Sequence, residues 1–446
     1  MDTLFTHVSV VTMDESLTVL TDAFLGVTDG KISHLSKNAP AESEQPKQII
    51  DGTGMVIMPG MINCHPHLPM SFLRGYSDDL NLHDWLHAIF PREARVDDRA
   101  VKACTLLSIA EALRFGTTSV TDMYDHTNAV AEAVAESGIK ANLSRGATMF
   151  LSDDFDEKTF PACLEFKDTL KKWHNYDNGR IRYEASIHGE YTSTYQFWDF
   201  ASRFAAEEGI GMHVHLSETA AEQEGSLERN ALTPAQVLDC HHVFDTRTTA
   251  AHCVHLTEED MDLLAKRKVT AVHCPVSNLK LASGRADVPK MVKHGMNVAL
   301  GTDSSSSNNN LDLFKEMKLA TLQAKEMYGS AEAFSAPAAL MMATVCGARC
   351  QGREKECGML KIGMDADLCM LDFTQPHLIP CHDLMSHLVY AADGHDVVLT
   401  MVQGKILYAA GKYPTIDLAK VMEELTTYAI PKVFDDSKQE QEANNG

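Results

Sequence analysis

Three patterns in the sequence predict an α/β protein: a (β/α)8 barrel of the TIM type with a small β-sandwich domain built from both termini. The first is a period-2 alternation of apolar and polar residues near the start, in "HVSVVTMD", "AFLGVTDGKISHL" and "KQIIDGTGMVIMPG". Such alternation marks short antiparallel strands with one buried face. The second is the return of that texture in "GMLKIGMDADLCMLDF" and "VVLTMVQGKILYAAGK". The third is the middle of the chain, where apolar strand, loop and amphipathic helix recur in turn, the rhythm of a parallel sheet covered by helices. The boundaries that follow are 1–58 with 354–415 for the small domain, 59–353 for the barrel, and 416–446 for a helical and polar tail. The last of these ends in "DDSKQEQEANNG", too polar to pack.

Taken in order, the barrel strands are "MVIMPGMINCH", "TTSVTDM", "KANLSRG", "IRYEASIHGEY", "IGMHVHLSE", "TAAHCVHL", "VTAVHCPVS" and "MNVALGTDS". Helical stretches such as "DDRAVKACTLLSIAEALRFG", "NAVAEAVAESG", "TEEDMDLLAKRK" and "NNNLDLFKEMKLATLQAKEMYG" separate most of them. An open doubly wound sheet is the rival architecture for the same rhythm.

The formal charge is -23, from 39 Lys+Arg against 62 Asp+Glu. A balance of that sign repels nucleic acid and anionic membranes. The opening "MDTLFTHVSVVTMDESL" has no basic stretch followed by an apolar one, and no run of about 18 apolar residues follows. A cytoplasmic protein, a homo-oligomer acting on a small molecule, is expected. The 11 cysteines are scattered without a C-x-x-C pair and read as reduced core thiols, "CGARC" included.

Chemistry in a barrel gathers at the C-terminal ends of the strands. The first candidate strand ends in His65 and His67, the fourth in His188 and Glu190, the fifth in His213, His215 and Glu218. His252 and His255 end the sixth, His273 the seventh and Asp303 the eighth. Residues two apart share a strand face, so His65 and His67 point together, as do His213 and His215. Two imidazoles crowded on one buried face lose hydration, and a cation such as zinc resolves that by taking their lone pairs. His65, His67, one histidine of the fifth strand and Asp303 make three imidazoles and one carboxylate, with a position left for water, as catalytic zinc sites have. Taken singly, "HPH" and "HVHLSE" are equally compatible with structural histidines, and "GTDSS" with a plain turn. Their joint occurrence at strand ends favours the metal. The cysteine-based signature of zinc deaminases is absent.

The segments "PGMINCHPHLPMSFLRGYSDDLNLHDWL", "HVHLSE", "AHCVHL", "HCPVSNLKLASG" and "GTDSSSSNNNLDLF" resemble the amidohydrolase superfamily. Within it they are similar to the branch of 5-methylthioadenosine/S-adenosylhomocysteine deaminases and their chlorohydrolase relatives. The resemblance implies that His65, His67, His215 and Asp303 bind one metal ion per subunit, zinc or alternatively ferrous iron. It also implies a second layer for His213, a proton shuttle at Glu218 and activation of water by His252 and Asp303. His255 and His273 are left to packing or outer hydrogen bonds. The fourth strand carries "SIHGEY" where a bridging lysine would make a two-metal site, which implies a mononuclear centre. For the substrate, the resemblance assigns Glu93 of "FPREARV" to ribose hydroxyls, Arg145 of "NLSRG" to a carboxylate and His188 to the purine. The family pattern has a second arginine shortly after the third strand, where "ATMFLSDDFDEKTF" offers only Lys158. The expected reaction is hydrolytic deamination of an adenine nucleoside at purine carbon 6. Guanine, a pterin or an s-triazine is the alternative ring, and a non-catalytic scaffold the remote one.

Overall fold

The computed structural model describes residues 1–41, 43–149 and 155–436. Eight parallel strand positions follow one another around a ring. They are Met61–Asn63 continuing to Pro66–His67, then Thr117–Met123, Lys140–Ser144, and Ile181–Tyr183 continuing to Ala185–Ser186. Met212–Leu216, Thr248–His252, Thr270–His273, and Asn297–Leu300 continuing to Asp303–Ser304 complete it. Each pairs in parallel with the next. The last closes on the first through Asp303 with Pro66 and Ser304 with His67. Cys64 N–H, donating to Leu300 O at 2.9 Å, continues that seam. The ring closure rules out the open doubly wound sheet, because a closed barrel has no free strand edge.

Helices cover the outside where the sequence places them, and their ends have chemical reasons. Asp97 caps Asp98–Arg114 by accepting from Ala100 N–H. Thr257 and Asp260 form a reciprocal capping box on Glu258–Lys266. Gly329, at φ +58°, ends Leu313–Tyr328 in the left-handed conformation that glycine adopts without strain. The excursion after the first barrel strand is long, with a 3-10 turn at Leu68–Leu73 and a helix at Leu82–Glu93. That helix brings Glu93 over the barrel mouth.

Strands from both ends of the chain build one further sheet of eight. In spatial order these are Lys405–Ala409, Val397–Val402, Leu368–Asp372, Met55–Pro59, Thr3–Val11, Val19–Thr28 and Lys31–Ser36, with Gln48–Asp51 also on Thr3–Val11. The two halves join where Leu368–Asp372 runs antiparallel to Met55–Pro59. Phe5, Leu25, Ile57, Leu368 and Met401 pack into one apolar cluster there. Lys140, buried at the start of the third barrel strand, reaches Asp365 at 2.6 Å and also Asp367, pinning the sheet to the barrel floor. Beyond it, Leu418–Glu424 packs on helix Asp98–Arg114, with Arg99 paired to Glu424 at 2.9 Å. The polar end at 437–446 lies outside the described residues.

One expected strand divides. "MVIMPGMINCH" reads as a single apolar run, yet Met55–Pro59 belongs to the terminal sheet and Met61–Asn63 to the barrel. Gly60 sits at the division, where an added Cβ would collide with the Thr118 side chain. No side chain fits between the two sheets at that point. Gly60→Ala is therefore expected to destabilise the fold by ~1–3 kcal/mol through overpacking, read as a lowered thermal midpoint.

Candidate active site

The strand alternation does at the barrel mouth what it promised. His65 Nε2 and His67 Nε2 lie 3.5 and 3.2 Å from Asp303 Oδ1. His215 Nε2 lies 3.3 Å from His67 Nε2. The tautomers follow from the outer hydrogen bonds. His67 Nδ1–H donates to Met123 O at 2.5 Å and His215 Nδ1–H to His188 O at 2.6 Å, so both Nε2 atoms carry lone pairs. His65 Nδ1–H can donate to His213 Nε2 at 3.0 Å, His213 Nδ1–H to Ser144 Oγ at 3.3 Å, and Ser144 Oγ–H to Asp122 O at 3.0 Å. That relay leaves His65 Nε2 buried without a hydrogen-bond partner among the described residues. Three converging imidazole lone pairs and a carboxylate oxygen repel one another in a buried site unless a cation sits among them. The donor set therefore fits a divalent metal of zinc's kind. His65, His67 and Asp303 form one metal-competent group, and His65, His215 and His252 another that shares it.

Burial opposes ionisation throughout this cluster, and partners decide the outcome. Burial and neighbouring histidines hold His215 and His213 well below the ordinary imidazole range. Asp303 is pushed up by burial, but the imidazoles of His65 and His67 packed against it outweigh that and hold it well below the usual carboxylate range. Its other oxygen, Oδ2, accepts from Ser277 Oγ at 2.6 Å and Ser307 Oγ at 2.8 Å. His252 donates Nδ1–H to Asn278 Oδ1 at 2.8 Å and turns Nε2 toward Glu218 Oε2, 3.7 Å away. Glu218 Oε1 accepts from Ser283 Oγ at 3.1 Å, and burial raises its carboxyl above the ordinary range. Glu222 fixes the Glu218 backbone, accepting from Ser217 N–H at 2.9 Å and Glu218 N–H at 2.7 Å. Ser217, His252 and Asp303 all take positive φ, at +48°, +71° and +59°. Such backbone costs about 1–3 kcal/mol per residue and persists where the surroundings hold it.

Residues 56–407 match the amidohydrolase family. The chain belongs to that family. It is 42% identical over 383 residues to the 5-methylthioadenosine/S-adenosylhomocysteine deaminase of Moorella thermoacetica, covering 86% of this chain and 88% of that one. It is 40% identical over 429 residues to the 5'-deoxyadenosine deaminase of Methanosarcina acetivorans, covering 96% and 98%. Among solved structures it is similar to an adenosine deaminase from Xanthomonas campestris with bound zinc, with a TM-score of 0.91, 31% identity, and 97% and 98% of the two chains covered.

This amidohydrolase has a cavity of ≈ 420 Å³ at its barrel mouth, a size that suits a small ligand. His67, His215, Asp303, Glu218 and His252 form its floor, and Trp85, Leu86 and Ile89 give it an apolar wall. Glu93 and His188 reach the same cavity. Glu93 Oε1 accepts from Tyr124 Oη–H at 2.8 Å, and burial pushes its carboxyl up to about 7. The His188 ring is tilted 44° against that of His215, their centroids 4.7 Å apart, and it bonds Thr192 Oγ1 through Nδ1 at 2.9 Å.

Arg145 differs from its expected placing. It does not line this cavity but an adjoining one, with Nε on Glu165 Oε2 at 2.6 Å and Nη1 on Asp125 Oδ1 at 3.3 Å. Lys158 is exposed. Glu190, at the same strand end as His188, turns away to Arg229 and Asn230 at 2.5 and 2.9 Å. His255 binds Ser283 O at 2.7 Å and so steadies the turn that holds Glu218. His273 is buried, lies off the cavity lining, and its Nδ1 has no hydrogen-bond partner among the described residues. Sequence reasoning missed Ser277, Asn278, Ser283, Ser307, Tyr124 and Glu222. The first three stand in the quoted "HCPVSNLKLASG", whose density of small polar residues after a strand end was the available signal.

Proposed function

We propose that this amidohydrolase removes the exocyclic amine of an adenine nucleoside by hydrolysis, releasing ammonia and the inosine-type product. Adenosine, 5-methylthioadenosine and S-adenosylhomocysteine are the candidate substrates, and the relative from Methanosarcina acetivorans adds 5'-deoxyadenosine. One observation carries the reading. Glu218 and His252 stand together beside three imidazoles and a carboxylate, on the floor of a cavity whose wall bears Glu93.

His65, His67, His215 and Asp303 would hold a single divalent ion, zinc by the donor set and ferrous iron as the alternative. Bound there, such an ion supplies a nucleophile at neutral pH by acidifying water. The remaining steps belong to the side chains. Glu218, whose carboxyl burial raises above the ordinary range, takes a proton from the attacking water and places it on ring nitrogen 1. Carbon 6 becomes electrophilic, the carbon–oxygen bond forms, and the carbon–nitrogen bond to the amine breaks as a second proton reaches it. His252 Nε2 and Asp303 accept the remaining proton of that water and are the source of the one that reaches the departing amine. Glu93 accepts hydrogen bonds from the ribose hydroxyls, and His188 meets the purine edge.

An ammonia-release screen of the zinc-loaded protein against adenine nucleosides, guanine, pterins and s-triazines tests this. Fastest release from an adenine nucleoside is expected, whereas preference for a ring without ribose would overturn the reading. Glu93→Ala should lower kcat/KM for nucleosides by about 10- to 100-fold, the worth of one or two hydrogen bonds to a charged acceptor, and spare free bases. Equal loss on both would remove Glu93 from ribose recognition.

A further inference from the structure

The cavity does not end at Glu93. Asp125 and His126 line both it and an annex of ≈ 300 Å³, whose other walls are Asp98, Asn128, Arg145 and Glu165. The order of strands fixes what faces the annex. The metal-competent residues and Glu218 stand on strands one, five and eight, with His252 on strand six. Glu93 descends from the loop after strand one, and Asp125 and Arg145 follow strands two and three. A nucleoside with its ring at Glu218 and its ribose at Glu93 therefore sends its 5′ substituent toward Asp125. Asp125 also sits close enough to Glu93 to be among the charges that raise its carboxyl.

Arg145 is the one guanidinium on the annex wall among the described residues, and it is already committed. Glu165 and Asp125 hold it at 2.6 and 3.3 Å, and its side chain is only 15% exposed, against 51% for Asp125. Asp98 adds a third carboxylate, bonded to His126 at 2.6 Å. Asp125 thus presents an accessible carboxylate to the cavity while Arg145 is screened behind it. Resting on the nucleoside deaminase reading above, we propose that Asp125 is a specificity-determining residue: it selects adenine nucleosides whose 5′ substituent is neutral, zwitterionic or cationic and rejects those whose 5′ substituent carries a net negative charge. Arg145 then serves as a positioning residue for Asp125 and Glu165.

A matched set of 5′-thioether adenosines tests this: methylthio, 2-aminoethylthio and 2-carboxyethylthio. They share one reacting ring and differ in charge at the 5′ end. For the wild type, kcat/KM for the carboxylate is expected to be about tenfold or more below that for the methylthio compound, with the amine at least equal to it. The deficit should shrink as ionic strength rises, which a packing effect would not do. Asp125→Asn should raise the carboxylate-to-methylthio ratio about tenfold, and Glu165→Gln should move it the same way if the first variant folds poorly. A wild type that prefers the carboxylate, or a ratio unmoved in both variants while the methylthio compound turns over, overturns this inference alone. No turnover of any member overturns the deaminase reading and this inference with it.

Discussion

Glu218→Gln is expected to lower kcat for ammonia release by ~10²- to 10⁴-fold while the metal content stays at the wild-type value. The amide has nearly the same shape, and it can keep the hydrogen bond from Ser283 and the backbone anchored by Glu222. It cannot carry a proton. Because Glu218 lies 3.7 Å from His252 Nε2 and outside the pair of metal-competent groups, its removal should not loosen the ion. The loss should therefore fall on kcat with little change in KM, the mark of an interaction made in the transition state. Near-normal turnover with metal fully bound would remove Glu218 from the proton path.

His67→Ala is expected to release the metal and lower activity by on the order of 10⁴-fold or more, because acidification of water from a pKa near 15.7 to about 7 is lost with the ion. His67 lies against candidate ligands from two other strands. It lies 3.2 Å from Asp303 and 3.3 Å from His215. His213→Asn offers the contrast. It keeps all four candidate ligands and disturbs the outer bonds of His213 to His65 Nδ1, at 3.0 Å, and to Ser144 Oγ, at 3.3 Å, so metal affinity should fall by about 10- to 100-fold. Metal analysis after dialysis, alongside ammonia release, reads both. A His67→Ala protein that retained a full equivalent of metal would contradict the assignment.

His65, His67, the His213/His215 pair, His252 and Asp303 were legible as residues gathered at strand ends because two regularities combine, while the choice of His215 over His213 came only from the family resemblance. The pleat puts alternate residues on one face, and a closed parallel barrel gathers every strand end at one mouth. Neither needs knowledge of contacts between distant segments. What stayed hidden depends on such contacts. The Ser283 to Glu218 bond spans 65 residues and the Asn278 to His252 bond 26, and nothing local in "SNLKLAS" says which strand end it faces. Arg145 illustrates the same limit, since its position after the third strand was readable but its capture by Glu165, on helix Pro161–Trp173, was not. Gly60 was misplaced within a longer strand because an apolar run carries no mark of passing from one sheet to another. Only the Thr118 side chain packed against it reveals why glycine stands there.

The central claim is that one ion, held by His65, His67, His215 and Asp303, enables deamination of an adenine nucleoside. Titrating zinc into chelator-stripped protein while following ammonia release from 5'-deoxyadenosine tests it most directly. Negligible release is expected without metal, with a rise that ends at one equivalent of zinc per chain. Full activity in the stripped protein, or an endpoint at two equivalents, would contradict it.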